Sequence, residues 1–210
     1  MKSVITASAL IFFAISVSLS EAEPVQNKIE EGMTISAIID NSVAPFKFQI
    51  RTSKEDGLLE AIDVFSPSGE KLQTIVSADA EMPCSSCRLM EFKDLNFDGY
   101  NDLLILIGWG SGGNMFDVWT YNPKKRMFAN VSFDNEFANP IVDVENKILI
   151  TNSPMGCCAG TNFYYGYNKD KFHLFKQTEY SIENKKEVIV VKELVRGKWK
   201  ASKKYGDSLE

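Results

Sequence analysis

The 210-residue chain carries a single histidine, His173. That scarcity removes the HExxH zinc-protease motif and every site that needs two imidazoles. A Ser-His-Asp triad would have to use His173, which stands among Phe172, Leu174 and Phe175 and reads as a half-exposed strand residue. A basic excess is also missing. The formal net charge is −5, which disfavours a nucleic-acid partner. Beyond the N-terminus no apolar run approaches the length of a membrane-spanning helix. No stretch shows the period of a three-turn helix, and no strict repeat recurs, so a complete multi-blade propeller is not written into this chain.

The apolar run Ala7 to Val17 follows a positive Met1-Lys2 start, and small residues come after it, with Ser20 and Ala22 placed for cleavage. Residues 1–22 are therefore expected to be a secretory signal peptide. The run is short for a membrane anchor, and no cysteine lies near the cut to carry a lipid. Residues 23–32 are polar and read as a flexible leader. Residues 33–210 are left as a single all-β domain, long enough for a sizeable core. Four cysteines, Cys84, Cys87, Cys157 and Cys158, form an even set that points to disulfides in an exported chain. Three connectivities stay open. A local Cys84–Cys87 bridge closes easily, a Cys157–Cys158 bridge is harder because adjacent Cα atoms lie closer than disulfides favour, and cross-links would staple distant segments. A redox CxxC needs a helix after it, whereas Cys87 is followed by the strand-like RLMEF.

What the chain has in abundance is strand chemistry. MTISAII, FKFQIR, EAIDVF, KLQTIV, DLLILI, MFDVWTY, KILIT, NFYYGY, KFHLFKQ and EVIVVKELV follow one another, separated by turns such as Ser-Pro-Ser-Gly at 66–69 and Asn-Pro-Lys-Lys at 122–125. In FKFQI the apolar Phe46, Phe48 and Ile50 alternate with polar residues, as in a half-buried strand. DLLILI is continuously apolar and should be buried on both faces. The expected fold is all-β, with antiparallel sheets and hairpins, sandwich-like or an incomplete propeller.

One stretch breaks the pattern. In DLNFDGYND, Asp94, Asn96 and Asp98 alternate, Gly99 follows, and Asp102 comes four residues after Asp98. A hard cation such as calcium takes six to eight oxygens from carboxylates, amides and carbonyls. Asp94, Asn96, Asp98, the Tyr100 carbonyl and Asp102 make such a shell, with water completing it. The loop is not an EF-hand, since Ile105 stands where the bidentate Glu belongs and strands rather than helices flank it. The competing reading is an Asx-rich turn without metal.

FKDLNFDGYNDLLIL resembles the calcium loop of FG-GAP blades in integrin-type propellers. It is more similar still to a family of small exported bacterial β-proteins. There the same strand–loop–strand precedes a glycine-rich turn, here GWGSGGN, and an aromatic strand ending in a proline turn, here MFDVWTYNPKKRMF. SPMGCCAGTNFYYGY continues the likeness, which covers roughly Arg88 to Phe175. Some members are periplasmic inhibitors or immunity proteins acting on lysozyme-like peptidoglycan hydrolases. The resemblance implies calcium at Asp94, Asn96, Asp98, Tyr100 and Asp102, an exported, most often periplasmic, location and a protein partner. It carries over no inhibitory residue: the Ser-Gly-x-x-Tyr loop of other lysozyme inhibitors is half present, because Ser111-Gly112-Gly113-Asn114 lacks the tyrosine. The alternative function is a non-inhibitory calcium-binding adhesion or scaffold module of the envelope.

Other features carry less. Gly108 to Gly113 satisfies GxGxxG literally, but a strand follows where a dinucleotide site needs a helix. Its Trp109, Ser111 and Asn114 are instead candidates for partner contact, as are Tyr164 and Tyr165 beside the small-residue loop 153–161. Tyrosine is enriched at binding hot spots, although in a strand Tyr165 and Tyr167 share one face, which could equally be core. The acids Asp117, Asp134, Glu136 and Asp143 offer no spacing that singles out a glycosidase pair. No catalytic residue is assigned, and the chain is not expected to be an enzyme. The basic stretch Lys192 to Lys204 reads as the solvated face of a terminal hairpin or as a docking edge for an acidic partner.

Overall fold

The computed structural model describes residues 30–208 except 56, 78–87, 111, 132, 134–136 and 157. The expected signal peptide, most of the leader, Ser111, Asp134 and Glu136 therefore lie outside the described residues. So do Cys84, Cys87 and Cys157. Cys158 is described and is not a free thiol, but the pairing of the four cysteines falls outside what is described. Glu31 and Gly32, expected in the leader, are instead tied to the fold. Glu31 Oε2 accepts the Thr52 amide at 2.6 Å, and the Gly32 amide donates to the Ile50 carbonyl at 3.0 Å.

The fold is all-β, and no helix occurs among the described residues. Three antiparallel sheets succeed one another along the chain, and none closes into a barrel. The first contains β1 (Thr34–Ala37), β2 (Phe46–Thr52), β3 (Leu59–Phe65) and β4 (Lys71–Ile75), in that order. The second contains β5 (Met90–Lys93), β6 (Asp102–Gly110), β7 (Gly113–Asn122) and β8 (Met127–Val131), again in order. The third runs from β9 (Ile141–Asp143) through β10 (Ile148–Pro154), β11 (Gly160–Asn168), β12 (Lys171–Glu183) and β13 (Lys186–Val195) to β14 (Lys198–Ser208). Each sheet is thus a plain meander.

The last three hairpins of the third sheet turn on Lys169-Asp170, Asn184-Lys185 and Arg196-Gly197, every one of these residues having positive φ between 50 and 75°. Two successive left-handed residues make the mirror-image turn whose twist matches that of the paired strands.

Two apolar clusters hold the sheets face to face. Phe48, Ile50, Ile62, Val64 and Ile75 of the first sheet meet Met90, Leu103, Ile105, Tyr121 and Phe128 of the second. Leu104, Leu106, Phe116 and Val118 leave the other face of the second sheet and meet Leu149 and Tyr165 of the third. The strand β6 therefore buries odd-numbered residues in one cluster and even-numbered residues in the other, which accounts for its unbroken apolar run. Side chains reinforce the stacking. Gln73 of β4 accepts the Phe128 amide at 2.8 Å and donates to the Phe128 carbonyl at 2.9 Å, so its amide group docks on β8 as a further strand would.

Candidate functional site

The acidic loop connects β5 and β6, whose last and first residues, Lys93 and Asp102, lie directly opposite each other. Leu95, wholly buried in the second cluster, pins one side of the loop, and Tyr100 packs against the first cluster on the other. The turn itself passes through positive φ at Phe97 (63°) and Gly99 (89°). Asp94 receives the amides of Asp98 at 3.1 Å and Gly99 at 2.9 Å, and Asp98 receives that of Tyr100 at 2.9 Å. Asn96 donates to Asp98 at 3.0 Å and accepts the Asp98 amide at the same distance.

Asp102 has no exposure at all, and its two oxygens accept the Leu95 and Tyr121 amides, each at 2.9 Å. Burial pushes its carboxyl up to about 7, opposed by those two amides and reinforced by the charges of Asp98 and Asp94.

The loop also reaches each sheet. The Asn101 amide and side chain donate to the carbonyls of Ile39 and Ile38, at 2.9 and 2.8 Å, beside the first sheet. Asp102 holds β7 of the second sheet through Tyr121. From the third sheet Tyr167 approaches the Asn96 side chain, and its hydroxyl is shifted upward, mainly by burial.

The donor set is entirely oxygen, from three carboxylates, an amide and a carbonyl, and in type it fits a hard cation rather than zinc. Among the described residues no three His, Cys, Asp or Glu side chains are gathered as a metal-holding cluster. The loop as it stands closes on its own hydrogen bonds.

The second region lies where the β6–β7 hairpin approaches β10. Trp109 pairs with Asn114 and Gly110 with Gly113 across the hairpin. Gly113 has φ of 101°, and Asn139 packs so closely that a Cβ at Gly113 would collide with its side-chain amide. Asn139 clamps the tip. Its Oδ1 accepts the Asn114 amide at 3.1 Å, its Nδ2 donates to the Gly112 carbonyl at 2.9 Å, and its own amide donates to the Asn114 carbonyl at 3.1 Å. Asn139 sits at φ of 48°, a conformation asparagine tolerates better than most residues.

On the far side of this segment the Ala138 carbonyl accepts the Asn152 amide from β10 at 3.1 Å, so residues 137–139 bridge the second and third sheets. Between hairpin and bridge lies an open cavity of about 270 Å³, walled by Trp109, Met115, Ala138, Ser153, Pro154 and the glycine backbone. Trp109 is 54% exposed at its rim.

Of the partner candidates, Trp109 is exposed, and Asn114 is half-buried within the clamped tip. Tyr165 is a correction: it is 3% exposed, packed in the second cluster, and has no surface to offer a partner. Tyr164 points to the opposite side of the third sheet, beneath Lys176, whose Nζ lies 4.9 Å from the ring centre. The loop expected over 153–161 is shorter. β10 runs to Pro154 and β11 starts at Gly160, with the Met155 amide donating to the Ala159 carbonyl at 2.8 Å. Asp117 accepts hydrogen bonds from Ser77, Trp119 and Asn130. Sequence reasoning missed Asn139, for which the turn-forming Asn139-Pro140 pair is the one local signal.

No protein-family model matches the chain, and no curated protein matches it. Among solved structures the chain is similar to one described as "Structure of a Xanthomonas Type IV Secretion System related protein", with a TM-score of 0.60 and 14% identity over 85% of this chain and 97% of that one. At that identity the likeness is one of fold.

Proposed function

We propose that the protein is an exported, calcium-stabilised β-protein that binds and inhibits a lysozyme-like peptidoglycan hydrolase. The observation that carries this reading is the clamped β6–β7 tip, which holds an exposed Trp109 beside an open cavity at the junction of two sheets. An inhibitor gains affinity when the inserted element is already rigid, because little freedom is then lost on binding. An exposed tryptophan on a braced hairpin meets that requirement, and tryptophan is prominent among binding hot spots.

A calcium ion would be held by Asp94, Asn96, Asp98, the Tyr100 carbonyl and Asp102. It would neutralise the crowded carboxylates and stiffen the loop that touches all three sheets. The fold neighbour's relation to a bacterial secretion system is consistent with an exported bacterial protein. Among the described residues no helix is long and apolar enough to cross a membrane.

The test is a lysis assay. The chain freed of residues 1–22 is added, with calcium, to peptidoglycan and a panel of lysozyme-type hydrolases. Stoichiometric inhibition of one enzyme, weakened by Trp109→Ala, is expected. If no enzyme is inhibited, the reading fails and a non-inhibitory envelope-binding module takes its place.

A further inference from the structure

The third sheet ends at β14, and no described strand lies beyond it. Such an edge offers unpaired amides and carbonyls to any extended chain of the right pattern. Every side chain from Lys198 to Tyr205 is exposed.

The register with β13 sorts these side chains into two rows. Lys198, Lys200, Ser202 and Lys204 lie on the outer side of the sheet, opposite Val195, Glu193, Val191 and Ile189. Trp199, Ala201, Lys203 and Tyr205 lie on the core side but beyond the core, opposite Leu194, Lys192, Val190 and Val188. In the second row Lys203 is already engaged, 3.1 Å from Glu183 and 5.2 Å from the centre of the Tyr205 ring. In the first row Lys198, Lys200 and Lys204 have no ion pair among the described residues. Trp199 and Leu194 face each other at 47% and 43% exposure, and Tyr205 is 65% exposed. One side of the edge is thus cationic and the other aromatic, on a chain whose net charge is −5.

We propose that β14 takes up an acidic extended segment of a partner protein as an additional strand. Its acidic side chains fall at alternate positions over Lys198, Lys200 and Lys204, and apolar side chains between them lie against Trp199 and Tyr205. Backbone hydrogen bonds supply the affinity in this mode of recognition, and the alternate side chains supply the specificity. Charge selects the occupant. A second copy paired through the same edge would set lysine row against lysine row, and like charges directly opposed on a sheet are destabilising. A purely apolar segment would leave three lysines beside it with Glu193, opposite Lys200 and 3.9 Å from Lys176, as the one counter-charge in the paired row of β13. The proposal uses no residue of the β6–β7 tip and stands apart from the hydrolase reading.

The probe is a fluorescein-labelled eight-residue peptide of alternating Glu and Val, titrated into the chain freed of residues 1–22 and followed by anisotropy. Binding is expected, weakening as salt rises, and about tenfold weaker for the peptide with Gln in place of Glu. The triple variant K198E/K200E/K204E should lose the Glu–Val peptide and gain a Lys–Val peptide, a gain that misfolding would not produce. The proposal is overturned if the Glu and Gln peptides bind alike, if neither binds, or if the triple variant keeps its preference. It is also overturned if phosphatidylglycerol vesicles bind through the same lysines while the peptide does not.

Discussion

Replacing Asn139 by alanine removes the side chain that closes the β6–β7 tip. Two hydrogen bonds go, one from the Asn114 amide to Asn139 Oδ1 and one from Asn139 Nδ2 to the Gly112 carbonyl. Each is worth about 0.5–1.5 kcal/mol net. The position also holds φ at 48°, where an L-residue without a local hydrogen bond costs roughly 1–2 kcal/mol. The expected loss is therefore about 2–5 kcal/mol, and at about 3 kcal/mol the melting temperature of a chain this size falls by roughly 6–12 °C. Asn139→Gly separates the two contributions. It loses the same hydrogen bonds but relieves the backbone, and after its own entropic cost of roughly 0.5–1 kcal/mol it should stay about 0.5–1 kcal/mol above the alanine variant. Urea unfolding measures the global change. Amide exchange at Asn114 measures local opening, since a tip that frays without unfolding the sheets shows itself there first. The reasoning is refuted if Asn139→Ala unfolds within about 0.5 kcal/mol of the parent and the Asn114 amide exchanges no faster.

Other perturbations reach different layers of the molecule. Gln73→Ala cuts both hydrogen bonds between β4 and Phe128 and should cost about 1–3 kcal/mol, measured as a lower urea midpoint with an unchanged slope. Asp98→Ala should abolish a rise in melting temperature produced by millimolar calcium over chelator in the parent; a parent that shows no such rise refutes calcium binding.

Asp63 governs an acid transition. Burial alone would raise its carboxyl, but the Thr74 hydroxyl at 2.7 Å, Lys71 at 2.9 Å and the charge of Arg51 outweigh it, and the group sits below its ordinary value of 3.8. A depressed carboxylate stabilises the fold above that ordinary value and loses its contribution as pH falls through the lower, folded value. Asp63→Asn should therefore be less stable than the parent at neutral pH, with the gap closing below about pH 4.

Much of this fold is legible in the chain. The alternation of Phe46, Phe48 and Ile50 gives β2 its buried face, and the unbroken apolar run from Leu103 to Leu106 marks a strand covered on both sides. Turn residues between short strands announce hairpins, and consecutive hairpins make meanders. Periodicity does not say which covering sheet meets which face, so the stacking order had to come from the structure. It is also silent on sign: Tyr164 and Tyr165 are chemically alike, and only the register with β10 and β12 sends one outward and the other into the core. The acidic loop was visible because its oxygens alternate. Its contacts with all three sheets were not, since Ile38, Tyr121 and Tyr167 stand far from it in sequence. Asn139 acts across 25 residues on Asn114, a contact with no local periodic signature.

Because each sheet is one uninterrupted stretch of chain, the order in which the polypeptide emerges is also the order in which its layers can be laid down. The first meander can pair its strands before any later residue exists, but its inner side stays wet until Leu103 and Ile105 arrive. Once they do, Leu104, Leu106, Phe116 and Val118 are left as a bare hydrophobic wall until the third meander covers them. The half-built molecule is therefore a two-layer intermediate with one sticky side. The interval before Leu149 and Tyr165 follow is when a holdase would find the most to grip and when aggregation would be fastest.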